Sequence, residues 1–260
     1  MLERTPALDK TPNSQPTARV SNQPAHTAGE LRVQGLNFEA GGRQIISDLS
    51  FELDGGGLSV IMGPNGAGKS VLIRLLHGLL KASSGSIHWG GVPVDEVPSH
   101  SQALVFQRPV LLRRSVAANI DFVLKLQGPL DREQRHALLE LGGLTGLADQ
   151  PARALSGGEQ QRLALVRALA LQPAVLFLDE PSASLDPGSV QRIETIILNA
   201  KQSGTKIILV THDVGQARRL ADDITFMHRG CVTEQQRADR FFAEPVSQEA
   251  RGYLSGQLVI

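Results

Sequence analysis

Residues 63–70 read GPNGAGKS and satisfy the pattern G-x-x-x-x-G-K-[ST] in full. Gly63, Pro64, Asn65, Gly66, Ala67 and Gly68 form a loop whose glycines let the backbone curl. Successive amide N–H groups then converge on phosphate oxygens at the positive end of a following helix. Lys69 is placed to reach the β- and γ-phosphates of a nucleotide, and the Ser70 hydroxyl to ligate Mg²⁺. Val71 follows where a second hydroxyl is often found, so one α-phosphate contact is missing. Further on, VLFLDEP (175–181) ends an apolar run in two carboxylates. A strand turns adjacent side chains to opposite sides, which predicts different work for the two. Asp179 suits a place at or behind Mg²⁺, and Glu180 suits a base that polarises water for attack on the γ-phosphate. The next apolar run, IILV (207–210), ends in Thr211-His212-Asp213. The carboxyl ends of parallel strands line a ligand crevice, so His212 is a candidate to bond the γ-phosphate and position the attacking water.

The elements that must hold these residues are legible from periodicity. LRVQGLNFEA alternates as a half-buried strand does, Gly41-Gly42 marks a turn, and SDLSFEL (to residue 53) alternates again. LSVIM (58–62) is a buried strand, and a helical pattern runs from Lys69 to about Leu80. Strand, loop and helix in that order make the βα unit of a parallel sheet. SGSIHWGGVPV reads as a hairpin with Gly90-Gly91 near its tip. Residues 115–150 are mostly helical, broken at Gly128-Pro129 and near Gly142-Gly143. EQQRLALVRALAL (159–171) is an amphipathic helix, and VLFL and IILV suit strands buried on both faces. No internal repeat or heptad array is present. The expected fold class is α/β, one core with a helical insert near its middle.

Composition narrows the classes. Lys+Arg and Asp+Glu both count 26, so the formal charge is zero, against the positive surplus usual in nucleic-acid binders. Cys231 is the only cysteine, which excludes an internal disulfide and fits a reducing compartment. No apolar run approaches the ~20 residues of a membrane helix. Residues 1–29, rich in Pro, Thr, Ser and Asn without an apolar core, are expected to be a disordered tail rather than a signal.

LSGGEQQR (155–162) separates the phosphate-loop classes. Ser156, Gly157 and Gly158 precede the amphipathic helix and make its N-terminus an anion site. The chain already has a phosphate site at 63–70, so a second one makes sense if it serves a nucleotide held by another protomer. At this point the sequence resembles the ATP-binding cassette (ABC) ATPases: GPNGAGKS, Gln107, LSGGEQQR, VLFLDEP, SLD (184–186) and His212 match in family order, over about residues 30–255.

The resemblance implies a RecA-like, mostly parallel core with an antiparallel β subdomain and a helical subdomain at about 108–158, leaving 256–260 as a C-terminal end. It implies a head-to-tail dimer with two ATP molecules, each touching Lys69 and Ser70 of one copy and Ser156, Gly157 and Gly158 of the other. It further implies Glu180 as general base, His212 as switch histidine, Gln107 as a sensor of Mg²⁺ and γ-phosphate, and Asp186 as a link between the two sites. The family usually stacks an aromatic ring on adenine where this chain has Ala40. Phe38, two residues earlier on the same strand face, is the candidate substitute.

The resemblance points to the nucleotide-binding subunit of an importer, peripheral at the cytoplasmic face of the inner membrane, with a separate permease and a solute-binding protein. A non-transport ABC ATPase on nucleic acid or ribosomes usually carries a long coiled coil or two cassettes, and neither is present. A phosphate-loop kinase would not need LSGGEQQR. FQRPVLLRRSVAANI (106–120) resembles the segment of tungstate and related oxyanion importers, as does the ending RFFAEPVSQEARGYLSGQLV. Phosphate, molybdate, sulfate or amino-acid import stays open. Within this stretch, Val110, Leu111 and Leu112 are expected to supply contact area for the permease, with Arg113 and Arg114 pairing or capping around it.

Overall fold

The structure, a computed structural model, describes residues 28–257. The expected tail thus falls outside the described residues except for Ala28 and Gly29, and the C-terminal end is described only to Gln257. The chain opens with β1 (Leu31–Ala40) and β2 (Arg43–Leu53), an antiparallel pair. β2 starts four residues before the SDLSFEL alternation, which begins at Ser47, because the ladder runs to the turn itself, with Ala40 opposite Arg43. β3 (Leu58–Met62) is buried throughout and leads through the glycine loop into α1 (Lys69–Leu76). α1 stops short of Leu80. Gly78 takes a φ of 79°, and the N–H groups of Gly78 and Leu79 donate back to the Leu75 and Arg74 carbonyls, which closes the helix.

β4 (Ser84–Trp89) and β5 (Val92–Pro93) form the expected hairpin, and β6 (Gln102–Val105) follows. The next stretch is helical, with α2 (Val116–Gln127), α3 (Arg132–Gly142) and two short 3₁₀ turns. The core resumes with α4 (Gly157–Leu169), β7 (Val175–Asp179), α5 (Pro187–Gln202) and β8 (Lys206–Val210). It ends with α6 (Val214–Leu220), β9 (Asp223–His228), β10 (Cys231–Arg237), α7 (Ala238–Ala243) and α8 (Gln248–Leu254).

Two sheets result. One has the order β2-β1-β4-β5 and is antiparallel throughout; the other has the order β10-β9-β3-β8-β7-β6, parallel except for the β9–β10 pair. The continuous apolar strands of the second sheet are explained by its two buried faces. Leu58, Val60, Leu176, Leu178, Ile207 and Leu209 join the core built with α2 to α5. The alternating residues Ile61, Val175, Phe177, Ile208 and Val210 join a second core with α1 and the antiparallel sheet. Phe177 is fully buried there and meets the His77 and Trp89 rings edge-on, with centroids 5.5 and 6.1 Å away. One side chain thereby joins the parallel sheet, the end of α1 and the antiparallel sheet. Deleting a buried aromatic leaves a cavity as well as losing its transfer free energy. We expect Phe177→Ala to cost about 3–5 kcal/mol, read as a lowered urea midpoint.

Candidate functional site

β3 halts at Met62 because Gly63 must pass close to another backbone. Its φ is 147°, and a Cβ there would lie 2.0 Å from the Met227 carbonyl oxygen. The loop then wraps around Lys69, whose side chain is buried and donates to the Gly63 and Pro64 carbonyls at 2.8 and 2.9 Å. Burial pulls its pKa below the ordinary lysine value, while the charges of Glu180 and Asp179 oppose that shift. Ser70 donates from Oγ to Asp179 Oδ1 at 2.9 Å, which ties the loop to the end of β7. Burial raises the Asp179 pKa, and the bond from Ser70 and the Arg74 charge act against it.

The two carboxylates part as the strand pleat predicts, but a further distortion aims Glu180. Its φ is 48°, a left-handed conformation that costs a non-glycine residue roughly 1–3 kcal/mol and tends to occur at functional sites. Its N–H donates to the Val210 carbonyl. Its Oε2 lies 3.1 Å from His212 Nδ1 and 3.4 Å from Gln107 Nε2. Three loops, after β6, β7 and β8, therefore meet on one carboxylate oxygen. A cleft of about 920 Å³ opens here, lined by Lys69, Ser70, Gln107, Glu180 and His212. Asn65, Gly66, Gly68 and Val71 also line it.

Oxygen donors dominate beside Ser70, which fits a hard divalent cation taking the Ser70 hydroxyl with Asp179 beside or behind it. No group of three or more His, Cys, Asp or Glu among the described residues could cage a metal, so the remaining ligands would be phosphate oxygens and water.

Several candidates lie elsewhere. Ser156, Gly157 and Gly158 do not line this cleft, and neither does Asp186. Ser156 caps α4 in a capping box with Glu159. Gly158 packs on the first turn of α5, where a Cβ would meet Ser189 Oγ at 2.3 Å, and Asp186 caps that same turn. Phe38 also lies apart from the cleft lining. It stands opposite Ile46 and packs against the second core, outside the cleft. Its side chain is half-buried there. Leu111 is half-buried against the first core, and Val110 is 69% exposed. Arg113 and Arg114 make no ion pair among the described residues; Arg114 lies 6.0 Å from the Phe122 ring centroid.

Other contacts carry no local sequence signal. Gln161 on α4 is buried and donates to the Phe106 carbonyl at 3.2 Å, fastening the segment before Gln107 to the helix of the signature. Tyr253 on α8 donates from Oη to the His212 carbonyl at 3.0 Å. Its ring stacks edge-on against Phe226, with centroids 5.3 Å apart. Burial, with the charges of Glu180 and Asp213, pushes the phenol pKa up and keeps it a donor. Glu234 fastens the approach to α8 by accepting from the Val246 and Ser247 N–H groups.

The description "ABC transporter" matches residues 46–183. The tungstate uptake system ATP-binding protein TupC of Peptoclostridium acidaminophilum is 39% identical over 217 residues, covering 82% of this chain and 100% of that protein. The phosphate import ATP-binding protein PstB 1 of Yersinia pestis is 34% identical, covering 95% of this chain and 98% of its own length. The glutamate/aspartate import ATP-binding protein GltL of Escherichia coli K12 is also 34% identical, covering 82% and 92%. Among solved structures, cbiO1 from Clostridium perfringens, part of the ABC transporter complex cbiONQ, superposes with a TM-score of 0.73 at 32% identity. That match covers 82% of this chain and 90% of the other.

Tyr253→Phe removes one hydrogen bond to His212 and leaves the ring stack. With such a bond contributing about 0.5–1.5 kcal/mol, we expect kcat for nucleotide hydrolysis to fall about three- to tenfold with KM unchanged. An unchanged kcat in steady-state assays would show that packing alone holds the histidine.

Proposed function

The chain belongs to the ABC transporter family as an ATP-binding subunit and ATPase, and on that premise we propose that it drives import of a small solute through a separate permease. All three curated relatives named above are ATP-binding subunits of uptake systems, which supports import. Their solutes differ. Tungstate or a related oxyanion is our reading, resting on the greater identity to TupC and on the FQRPVLLRRSVAANI segment. No described helix is long and apolar enough to cross a membrane, so attachment at the cytoplasmic face would run through the permease. An apolar groove of about 370 Å³ supports that contact; Phe106, Pro109 and Val110, which flank Gln107 in the chain, line it with Leu171.

The proposed mechanism follows from the cleft. Lys69 exchanges its two loop carbonyls for phosphate oxygens. Glu180 accepts a proton from the attacking water, and His212 and Gln107 hold its carboxylate in position. Mg²⁺, when bound at Ser70 and Asp179, supplies neutralisation of phosphate charge. The observation that carries the dimeric reading is that Ser156 and Gly157 are exposed and lie outside their own chain's cleft. They are thus available to the nucleotide of a second copy, and Asp186, beside them at the start of α5, would link the two sites. Closure would complete the charge environment, and loss of the γ-phosphate would reopen it.

Two measurements test this. Glu180→Gln should bind ATP but hydrolyse it about 10²–10⁴-fold more slowly, and should accumulate as a dimer with ATP and Mg²⁺. A protein that stayed monomeric in light scattering would remove the sandwich. In cells carrying Lys69→Ala, uptake of tungstate should be lost while phosphate and glutamate uptake persist; the opposite pattern would reassign the solute.

A further inference from the structure

The cleft has two ends. At one, Glu180, His212 and Gln107 gather around Lys69 and Ser70. At the other, the start of β2 and the β9–β10 turn flank the phosphate loop at Ala67 and Gly68. The Gly230 N–H donates to the Ala67 carbonyl at 3.1 Å, the Ser47 N–H donates to the Gly230 carbonyl at 3.0 Å, and a Cβ on Gly68 would lie 3.2 Å from the Ile45 carbonyl. A nucleotide with its terminal phosphate near Glu180 must extend its sugar and base toward this second end.

Among the described residues no Phe, Tyr or Trp lines the cleft, whereas the guanidinium-bearing Arg43 and Arg229 do, as does Ile45. Both arginines are exposed, and neither makes an ion pair among the described residues. Arg229 sits at a φ of 46°, a backbone conformation unusual for a side-chain-bearing residue. Gln44, the amide at this end, donates from Nε2 to Asn37 Oδ1 and to the Ile46 carbonyl, so its donors are engaged away from the base. A guanidinium is planar, weakly hydrated and stacks on ring faces, and every base offers such a face.

We propose that Arg43 and Arg229 form the base subsite of this cleft. Their guanidinium planes hold the purine, and the subsite accepts adenine and guanine alike. The contact is a cation against a π face, without readout of base edges, so it carries little discrimination between purines. This rests on the reading of the cleft as the nucleotide site.

The test is calorimetric titration of the full chain with ATP, GTP and inorganic tripolyphosphate in Mg²⁺, for the native protein, Arg43→Ala/Arg229→Ala and Lys69→Ala. ATP and GTP should bind the native chain within about threefold of each other. The double arginine variant should lose at least about tenfold for both, with tripolyphosphate affinity unchanged. A larger preference for one purine, a smaller loss in the double variant, or a matching loss for tripolyphosphate each overturns the proposal. The last result would make the arginines a general attraction for phosphate charge. Undiminished ATP binding by Lys69→Ala would remove the cleft reading itself, and the subsite with it. Loss in Lys69→Ala alone would remove only the subsite.

Discussion

β3, β8 and β7 run parallel and in register, with Ile61 and Asp179 both paired to Val210. Parallel pairing obliges each strand to return by a crossover, so every strand of the set ends at the same edge of the sheet. The phosphate loop, the acid pair and the Thr211-His212-Asp213 turn leave that edge side by side, although Ser70 and Asp179 lie 109 positions apart in the chain. Only burial on both faces makes the register secure, because a slip by one residue would exchange the residues of the two cores. Phe177 and its neighbours therefore act on the chemistry from a distance, by fixing where three loops begin.

On this rigid edge the structure carries features that would be costly elsewhere. Glu180 has a left-handed backbone, Lys69 is buried without a carboxylate in direct contact among the described residues, and Asp179 is a carboxylate whose burial disfavours its charge. Each is offset by specific bonds: the Val210 carbonyl for Glu180, two loop carbonyls for Lys69, and the Ser70 hydroxyl for Asp179. A polyanion entering the cleft meets donors already oriented, so little reorganisation is required.

Much of the site was legible because its parts are short contiguous segments with their own local geometry. GPNGAGKS needs its glycines in order, VLFLDEP shows a buried strand giving way to acid, and LSGGEQQR shows a cap followed by a helix. Less legible are residues whose direction depends on packing. Phe38 is half-buried against the second core, and Leu111 is half-buried against the first beside exposed Val110. The length of α1 was misjudged for a related reason. Leu79 and Leu80 continue the apolar pattern, but Gly78 closes the helix before them.

The sequence by itself determined the α/β class, the phosphate loop, the acid pair and the family, because those depend on residue types at close spacing. Tertiary structure alone decided which groups share a hydrogen bond across the chain. Tyr253 reaches the His212 carbonyl across 41 positions, and Gln161 reaches Phe106 across 55. It also decided that the end of β2 lining the cleft presents Arg43 and Ile45 there. Such contacts are set by how helices and sheets pack, and periodicity along the chain encodes which face is buried but not what that face will meet.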